Sequence, residues 1–307
     1  MTARSGPDGA RRDAGLDAII GERRRLINLA YRLLGSMSEA EDAVQETCAR
    51  WYALSGEQRD AIASPAAWLT TVTSRVCLNQ LRSARVRRER YVGEWLPEPL
   101  PDPAQWSSGQ GVATDPADRV TLDESVNMAF LVVLESLSPA ERVAFILHDV
   151  FSYPFTEVAE ITGRTPGACR QLASTARRRV RAGQPPAVSI TRQASIVRDF
   201  KRAWEAGDVS ALIGLLDPDA TLTGDGGASL RPIEGGEQVA RFLTEIAHAV
   251  PGGDRRLLER TVNGQPGLVA QLDGVTAVVY AFEVAADRIT RIWAVLNPGK
   301  LRPWTAG

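Results

Sequence analysis

Residues 155–172 read FTEVAEITGRTPGACRQL, and this stretch decides how the fold is interpreted. Val158 and Ile161 lie at helical spacing and predict a short helix with one buried face. Gly163 predicts a turn, and Thr165-Pro166 predicts the cap and first residue of a second helix. The pattern indicates a helix-turn-helix, and a plain helical hairpin with a solvated basic face stays open as the alternative.

The second of these helices is predicted to carry a polar face suited to the major groove of DNA. Arginine can bond guanine there and glutamine can bond adenine, while consecutive arginines suit phosphates. We expect the buried residues of this helix to be Ala168, Cys169, Leu172 and Ala176. The residues predicted to contact DNA are Thr165, Arg170, Gln171, Ser174, Arg177 and Arg178.

Helical signals continue on the N-terminal side of this motif. Ser138 and Glu141 have the spacing of a capping box, in which each side chain bonds the other residue's backbone amide. Together with the helix-turn-helix, this pattern predicts a four-helix DNA-binding domain, which we place at residues 119–182.

The N-terminal part of the chain is also predicted to be helical. Gly35 ends a first helix, and Ser38–Glu41 has the capping-box spacing at the start of a second. The polar stretch 55–63 is predicted as a loop, and Ser64-Pro65 predicts the cap and first turn of a third helix. We place this all-α domain at residues 15–92.

Two faces of this domain are candidates for contacts with partners. Asp42, Gln45 and Glu46 share one face of the second helix, and such an acidic and amide face can dock a basic surface. A solvated helix face is the alternative. The third helix places basic residues near an aromatic one, which suits phosphates and unstacked bases, with a core tryptophan as the alternative. These residues are Trp68, Arg75, Asn79 and Arg82.

A proline-rich segment, residues 93–118, separates the two helical domains. Its prolines exclude a helix or a central strand, so it is predicted to be a linker. Trp95 and Leu96 are apolar, and we expect them to dock on another part of the protein. Residues 183–186 contain a second boundary.

The last part of the chain, residues 190–307, has a different pattern. Helices are predicted around 196–205, 212 and 237–249, and strands over 256–262, 268–272, 275–284 and 289–296. Asp273-Gly274 predicts a hairpin turn, and Asp225, beside two glycines, is predicted to lie in a loop. Helices followed by antiparallel strands indicate an α+β domain, in which a curled sheet and its helices enclose a pocket.

Composition excludes several classes of protein. The chain has 307 residues, a net charge of −1 and a pI of about 6.2, so nucleic-acid contacts must come from local patches. Cys48, Cys77 and Cys169 are widely spaced, which argues against a disulfide scaffold or a zinc site. No stretch has the length and apolarity of a membrane span, and the start is polar and arginine-rich, so we expect a cytoplasmic protein.

Three motifs together resemble a known family. Residues 41–47 (EDAVQET) resemble the sigma factor region that docks on the RNA polymerase clamp. Residues 65–69 (PAAWL), with Arg75 and Asn79 after them, resemble the region that melts and reads the −10 element. Residues 137–142 (LSPAER) and the helix-turn-helix resemble the region that reads the −35 element. Their order and spacing identify the chain as a member of the extracytoplasmic-function (group 4) sigma factors of the sigma-70 family.

Further motifs resemble the subgroup that carries a SnoaL-like, NTF2-like C-terminal domain. They are Trp95-Leu96-Pro97-Glu98-Pro99-Leu100, Asp149-Val150-Phe151, Tyr153-Pro154-Phe155 and Asn297-Pro298-Gly299-Lys300-Leu301. Asp225-Gly226-Gly227 resembles the subgroup's glycine-rich motif, with Ala228-Ser229 where a glycine and a lysine are typical. The resemblance implies a multi-domain protein: two all-α domains, regions 2 and 4, followed by an α+β NTF2-like cone domain.

The resemblance also implies partners and roles. The face of Asp42, Gln45 and Glu46 would bind the clamp helices of core polymerase, whose flap is a second contact, and the basic faces would bind promoter DNA. The residues predicted to form a regulatory contact are Trp95, Leu96, Pro97, Asp225, Gly226, Gly227, Asn297, Pro298, Lys300 and Leu301.

The sequence leaves the role of the C-terminal domain open. We expect a protein-contact module that regulates the sigma domains, with a small-molecule sensor or an enzyme as alternatives. His248 is the domain's only histidine, so catalytic chemistry has few candidates, and we predict no catalytic residue, metal or cofactor. For the whole chain, a helix-turn-helix regulator acting without core polymerase and an enzyme fused to a DNA-binding segment stay open. We expect the free protein to be a monomer.

Overall fold

A computed structural model of the chain describes residues 7–88, 94–102, 126–183, 188–226, 231–249 and 254–304. For residues 7–20, 84–88, 248 and 249 it describes the backbone alone. The chain forms two compact units. The first comprises the described residues within 1–86 and 137–178, and the second those within 87–112, 121–136 and 179–307.

The described helices are, in chain order, α1 (Pro7–Leu34), α2 (Met37–Ala53), α3 (Gly56–Asp60), α4 (Pro65–Arg88), α5 (Met128–Glu135), α6 (Pro139–Phe145), α7 (Phe155–Thr162), α8 (Pro166–Gly183), α9 (Ile190–Glu205), α10 (Val209–Leu215) and α11 (Gly236–Ala249). A π-helical turn, Ile146–Val150, extends α6, and a 3-10 turn, Arg302–Trp304, lies near the end. The strands are β1 (Leu216–Asp225), β2 (Ile233–Glu234), β3 (Arg255–Val262), β4 (Gln265–Leu272), β5 (Val275–Ala285) and β6 (Arg288–Val295).

The ends of the helices in the first unit follow local capping chemistry, with two corrections to the predictions. Gly35 ends α1 in the left-handed conformation, with φ 71°, as expected. Ser36, not Ser38, caps α2, because its hydroxyl accepts the amide of Glu39. The stretch predicted as a loop contains α3, which begins with a complete capping box between Ser55 and Gln58.

The helix-turn-helix has the predicted geometry. Gly163 ends α7 with φ 67°, and the Thr165 hydroxyl accepts the amide of Ala168 at 3.2 Å at the start of α8. The capping box between Ser138 and Glu141 is complete as well. Of the residues predicted to be buried, Cys169 and Ala176 are fully buried, whereas Ala168 and Leu172 are half-buried. Ala173, which was not predicted, is fully buried.

Two buried or bridging polar contacts join the N-terminal helices of the first unit to its later helices. The guanidinium of Arg142 is buried and donates to the carbonyl oxygen of Leu33 at 2.9 Å, which closes the C-terminal end of α1. The guanidinium of Arg25 donates to the hydroxyl of Tyr153 at 3.1 Å. Helices from both predicted sigma domains therefore share one compact unit.

The second unit is built on a six-stranded sheet in the order β2-β1-β6-β5-β4-β3. β1 pairs with β6 in parallel, and the other neighbours are antiparallel. The four strands predicted from the sequence are confirmed as β3 to β6. The prediction of a loop at Asp225 was wrong, because Asp225 is the last residue of β1 and is fully buried.

The two faces of this sheet are covered by different parts of the chain. Along β5, Tyr280 and Phe282 face the core formed with helices α9 to α11, because successive side chains of a strand point to opposite faces. Val279 and Ala281 face a second core on the other side, which we call the outer face. The outer core includes Leu96 of the linker, Met128 of α5 and Leu301 of the C-terminal tail.

Candidate functional site

The face of α2 predicted to bind polymerase is available for a partner. Asp42, Gln45 and Glu46 are all exposed, while Ala43 and Thr47 on the opposite side of the helix are buried. Glu46 pairs with Arg50 one turn later at 2.6 Å, an exposed pair of the kind that contributes little to stability. The structure thus presents three acidic and amide side chains on one solvated surface.

The residues predicted for −10 recognition on α4 are in different environments. Asn79 and Arg82 are exposed. Trp68 is half-buried and packs edge-on against Trp51, with ring centroids 5.2 Å apart. The exposed Arg75 donates to the backbone carbonyl of Glu160 in α7 at 2.9 Å. Arg75 therefore contacts the helix-turn-helix in this arrangement.

Helix α8 presents most of its predicted DNA-binding side chains to solvent. Arg170, Gln171, Ser174 and Arg178 are exposed, as is the capping residue Thr165. The guanidinium of Arg170 lies over the ring of Phe155, 5.4 Å from its centroid, a stacking contact that limits its rotamers.

Arg177 differs from these residues because it is already paired. Its guanidinium contacts the carboxylate of Asp149 at 2.5 Å, and its side chain is half-buried. Asp149 belongs to one of the segments that the sequence singled out, and so does Tyr153, whose carbonyl lies 2.9 Å from Nδ1 of His148. The imidazole of His148 stacks on Phe155 at 3.7 Å between centroids. These segments therefore contact both helices of the helix-turn-helix: His148 packs on Phe155 at the start of α7, and Asp149 pairs with Arg177 of α8.

In the second unit, the buried carboxylate of Asp225 is held by the linker and by the C-terminal tail. The amide of Leu96 donates to Oδ2 of Asp225 at 3.3 Å. Nζ of Lys300 also bonds Oδ2 of Asp225 and, in addition, the carbonyl oxygen of Leu96. Because a fully buried carboxylate is tolerated only when it is paired and hydrogen-bonded, this arrangement needs all three residues.

The ring of Trp95 covers the same ammonium group. Nζ of Lys300 lies 4.1 Å from the centroid of the Trp95 ring, well within the range of a cation–π interaction. We call the group of Trp95, Leu96, Asp225 and Lys300 the clasp. The sequence hypothesis placed all four residues in one regulatory contact, but it did not predict the particular bonds that join them.

The remainder of the linker is bound to the same sheet by contacts that the sequence did not predict. Leu100 and Asn263 exchange two hydrogen bonds, one from each backbone amide, at 3.1 and 2.8 Å. Pro101 forms a bridge to Val262, and the indole of Trp304 donates to the carbonyl of Pro99 at 2.8 Å. Residues 96–101, including Pro97, are all buried.

The glycine and tail motifs are adjacent to the clasp. The carbonyl of Asp225 accepts the amides of Leu296 and Asn297 at 2.7 and 3.0 Å. A Cβ on Gly226 would lie 2.8 Å from Cβ of Leu296, so no larger residue fits there without movement. Pro298 is exposed and Leu301 is buried in the outer core. Gly227 and Ala228-Ser229 lie outside the described residues.

A cavity of about 490 Å³ lies between the sheet and helices α9 and α11. Most of its lining is apolar, from Trp204, Leu222, Phe242 and their neighbours, and it also includes Tyr280 and Arg255. Burial raises the pKa of Tyr280, so its hydroxyl stays protonated at neutral pH. The side chain of His248, the histidine noted in the sequence, lies outside the described part of the chain.

Three family models match separate parts of the chain. They describe Sigma-70 region 2 over residues 20–87, Sigma-70 region 4 over residues 127–180 and a SnoaL-like domain over residues 197–292. The first model covers α2 and α4 with their exposed faces, and the second contains the helix-turn-helix. The third covers most of the sheet and the cavity.

Similar proteins span nearly the whole chain. The ECF RNA polymerase sigma factor SigJ of Mycobacterium tuberculosis is 40% identical over 295 residues, which cover 91% of this chain and 90% of SigJ. A probable ECF sigma factor SigI from the same species is 35% identical over 287 residues, covering 92% and 93%. The crystal structure of M. tuberculosis SigJ matches with a TM-score of 0.72 and 35% identity, over 94% of this chain and 98% of SigJ.

Fold, site and relatives together define an RNA polymerase sigma factor with a C-terminal SnoaL-like domain. The chain belongs to the extracytoplasmic function (ECF) sigma factors. The predicted family and fold class are confirmed: helical regions 2 and 4, then an α+β NTF2-like domain with a mixed sheet.

Two kinds of feature are absent from the described residues. None of the helices described has the length and apolar character needed to cross a membrane. Likewise, across the ranges given above, no three His, Cys, Asp or Glu side chains are grouped so that they could hold a metal ion.

Proposed function

We propose that this sigma factor reads promoters through α4 and α8, binds core polymerase through α2, and is regulated by its own C-terminal domain through the clasp. The observation that carries the regulatory part is the buried linker, whose residues 96–101 pack on the outer face of the sheet. A linker with this composition would be solvated if its role were only to join two domains.

The C-terminal domain also binds the first helix of region 4. The region 4 model begins at residue 127, yet Met128 of α5 is buried in the outer core, with Ala129 and Val132 packed against it. Removing Leu96 and Met128 from this core would expose two apolar side chains, and burial of each stabilises the fold by roughly 1.5–3 kcal/mol. Two segments of the sigma half are therefore restrained by one surface, which supports an inhibitory role for the domain.

The assignment of faces follows from exposure and chemistry. The surface of Asp42, Gln45 and Glu46 suits the basic clamp helices of core polymerase, since opposite charges steer and orient such encounters. Arg170, Gln171 and Ser174 suit base edges of the −35 element, and Arg178 suits a phosphate. Asn79, Arg82 and Arg75 suit the −10 element once Arg75 leaves the carbonyl of Glu160.

The cavity favours binding over catalysis. Its ionisable lining residues among those described are Glu205, Arg255, Arg256 and Tyr280, and Glu205 is exposed and paired with Lys201 at 2.9 Å. A general acid or base needs a group within reach of the substrate and with a suitable pKa. We therefore propose a non-enzymatic domain that can bind a small molecule, in a protein that acts as a cytoplasmic monomer before it joins polymerase.

Changing Trp95 to Ala is expected to raise transcription from the protein's own promoters. The change removes the aromatic cover of Lys300, a loss of about 1–2 kcal/mol, and so shifts the clasp toward release by about 5–30-fold. The measurement is run-off transcription with core polymerase and the full chain. Truncation after residue 185 is a poorer test, because it would expose Leu96 and Met128.

The matched control for this measurement is Trp95→Phe, which keeps an aromatic face over the ammonium and should stay near the unmodified protein. Equal output from all three proteins would contradict regulation through the clasp while leaving promoter recognition intact. Absence of any promoter-specific transcript, together with no binding to core polymerase, would contradict the sigma function itself.

Reversing one charge on α2 is expected to weaken the complex with core polymerase. Asp42→Lys replaces an exposed carboxylate on the proposed contact face with an ammonium group, which would face the basic clamp helices. Two like charges brought together in an interface cost several kcal/mol. The affinity for core polymerase, measured by fluorescence anisotropy of the labelled full chain, should fall at least tenfold. The control is Glu57→Lys, at an exposed position of α3 outside this face, and equal weakening by both variants would refute the assignment.

A further inference from the structure

The cavity beside α11 is larger than the voids of an ordinary protein interior, and its lining is mainly apolar. Protein interiors contain few voids larger than a water molecule, and a cavity of about 490 Å³ is within the size range of small-molecule sites. Its aromatic walls are Trp204, Phe242 and Tyr280, and the Trp204 indole is already satisfied by the carbonyl of Leu243 at 2.8 Å. The walls therefore offer flat apolar surface with few unsatisfied polar groups.

The charge at this cavity is positive. Arg255 and Leu257 lie two residues apart on β3, so both point to the helix-covered face. Arg256 also borders the cavity, but it is paired with Asp254 at 2.7 Å. Arg255 donates to the carbonyl of Ala247, and in the described part of the chain no carboxylate pairs with it. Tyr280 lines the same cavity as Arg255, so the lining contains a cationic donor and a hydroxyl donor.

We propose that the cavity binds a flat, mainly apolar organic anion, with its rings against Trp204 and Phe242 and its anionic group toward Arg255, and that binding tightens the clasp. The second part rests on the function proposed for the clasp. An aryl carboxylate, sulfonate or phenolate has this chemistry.

Leu296 connects the cavity to the clasp. Its side chain lines the cavity, its amide donates to the carbonyl of Asp225 at 2.7 Å, and its Cβ lies against Gly226. The Asp225 carboxylate in turn accepts the amide of Leu96 and the ammonium of Lys300. A ligand in van der Waals contact with Leu296 would add packing to this side chain of the cavity lining. It would thereby stabilise the strand end that carries Asp225.

Coupling of this kind is reciprocal. If the ligand favours the closed clasp, then opening the clasp must weaken the ligand by the same factor. A ligand that raised the population of the closed form would lower transcription, and its removal would release the linker.

The first test uses two fluorescent probes with the same rings. Anilinonaphthalene sulfonate carries an anion, whereas phenylnaphthylamine is its neutral counterpart. We expect the sulfonate to bind the full chain one to one and to bind at least roughly tenfold more tightly than the neutral probe, because a charge-assisted hydrogen bond to Arg255 is added. Equal affinities, or binding at several sites, would overturn the proposed ligand class.

Variants locate the site. Arg255→Gln should abolish the preference for the sulfonate, while Arg260→Gln, at an exposed position of β3 outside the cavity lining, should keep it. Ala270→Trp, which fills the cavity, should reduce binding of both probes. Because Ala270→Trp changes the interior, near-ultraviolet circular dichroism is needed to show that it folds, and Arg255→Gln tests the same site from the rim if it does not.

The second test measures the clasp directly. Hydrogen exchange of the linker peptide 94–102 in the full chain is followed with and without saturating sulfonate probe, and we expect slower exchange at Leu96 and Leu100. Trp95→Ala, which shifts the clasp toward the open form, should weaken probe binding by up to the factor by which saturating probe slows exchange. Unchanged exchange at saturation overturns the coupling even if Trp95→Ala raises transcription. Slower exchange with no effect of Trp95→Ala on transcription supports the coupling and removes only the regulatory role of the clasp.

Discussion

Changing Lys300 to Met is expected to lower the free energy of unfolding of the second unit by roughly 3–5 kcal/mol, the usual effect of removing one partner of a buried ion pair. Asp225 is fully buried, and the side chain of Lys300 is only 11% exposed. The variant keeps most of the apolar stem but leaves the carboxylate without its ammonium partner. The carbonyl of Leu96 loses the same donor, so the linker should loosen along with the strand end. Urea denaturation followed by tryptophan fluorescence measures the change.

Lys201→Met is the matched control, because Lys201 is the chain's other lysine and pairs with Glu205 on the exposed side of α9. A pair of this kind contributes about 0.3–0.5 kcal/mol, so this control should unfold almost like the unmodified protein. Adding Asp225→Asn to Lys300→Met removes the carboxylate charge that lost its ammonium partner and should recover part of the lost stability. If Lys300→Met and Lys201→Met had the same small effect, the clasp would not contribute to stability.

Elements with local signals were predicted well. The turn and the start of α8 are specified by the local preferences of Gly163, Thr165 and Pro166. They could be predicted without knowing which distant residues pack against them. The hairpin between β4 and β5 was predicted for the same reason, and Asp273 and Gly274 both take positive φ there. Where two capping serines lie close together, as at Ser36 and Ser38, spacing alone selected the wrong one.

Elements that depend on distant partners were missed. Strand β1 contains Asp217, Pro218 and Asp219, which weaken the strand pattern, and it forms only because β6 pairs with it in parallel. Asp225 therefore resembled a loop residue beside glycines, whereas in the fold it ends a buried strand. The sequence predicted that Trp95 and Leu96 would dock, but Leu96 bonds Asp225 across 129 positions, and no local pattern encodes such a pairing.

The chemistry of the clasp explains why a lysine is present in a chain that otherwise uses arginine. Of its 36 basic residues only Lys201 and Lys300 are lysines. An ammonium is a compact charge with three donors, so it can reach the carboxylate of Asp225, the carbonyl of Leu96 and the face of Trp95 together. The planar guanidinium of an arginine is larger and directs its donors in a fixed fork, which suits flat partners such as carboxylates or guanine. The use of lysine at position 300 therefore indicates the clasp in the sequence, once the tail motif that contains it has been recognised.

Changing Arg170 to Ala is expected to weaken binding of the holoenzyme to its own −35 element by about 1–3 kcal/mol, or roughly 5–150-fold, and to relax the preference for the base it contacts. Arg170 is exposed on the second helix of the helix-turn-helix, and Phe155 holds its guanidinium by stacking at 5.4 Å. A side chain restrained in this way loses less entropy on binding, so its contribution to specificity should exceed that of a mobile arginine. Binding is measured by competition between the native element and single-base variants at fixed salt.

Arg178→Ala provides the contrast, because Arg178 is also exposed on α8 but is assigned to a phosphate. Its loss should weaken all sequences alike and reduce the slope of log affinity against log salt concentration by about one. Arg177→Ala should behave differently from both, since the guanidinium is committed to Asp149 and its removal acts on the position of α8. Loss of affinity for native and variant elements by the same factor in Arg170→Ala would show that Arg170, too, contacts only the backbone of the DNA. Base recognition would then have to come from Gln171 and Ser174, the other exposed polar residues of the same face.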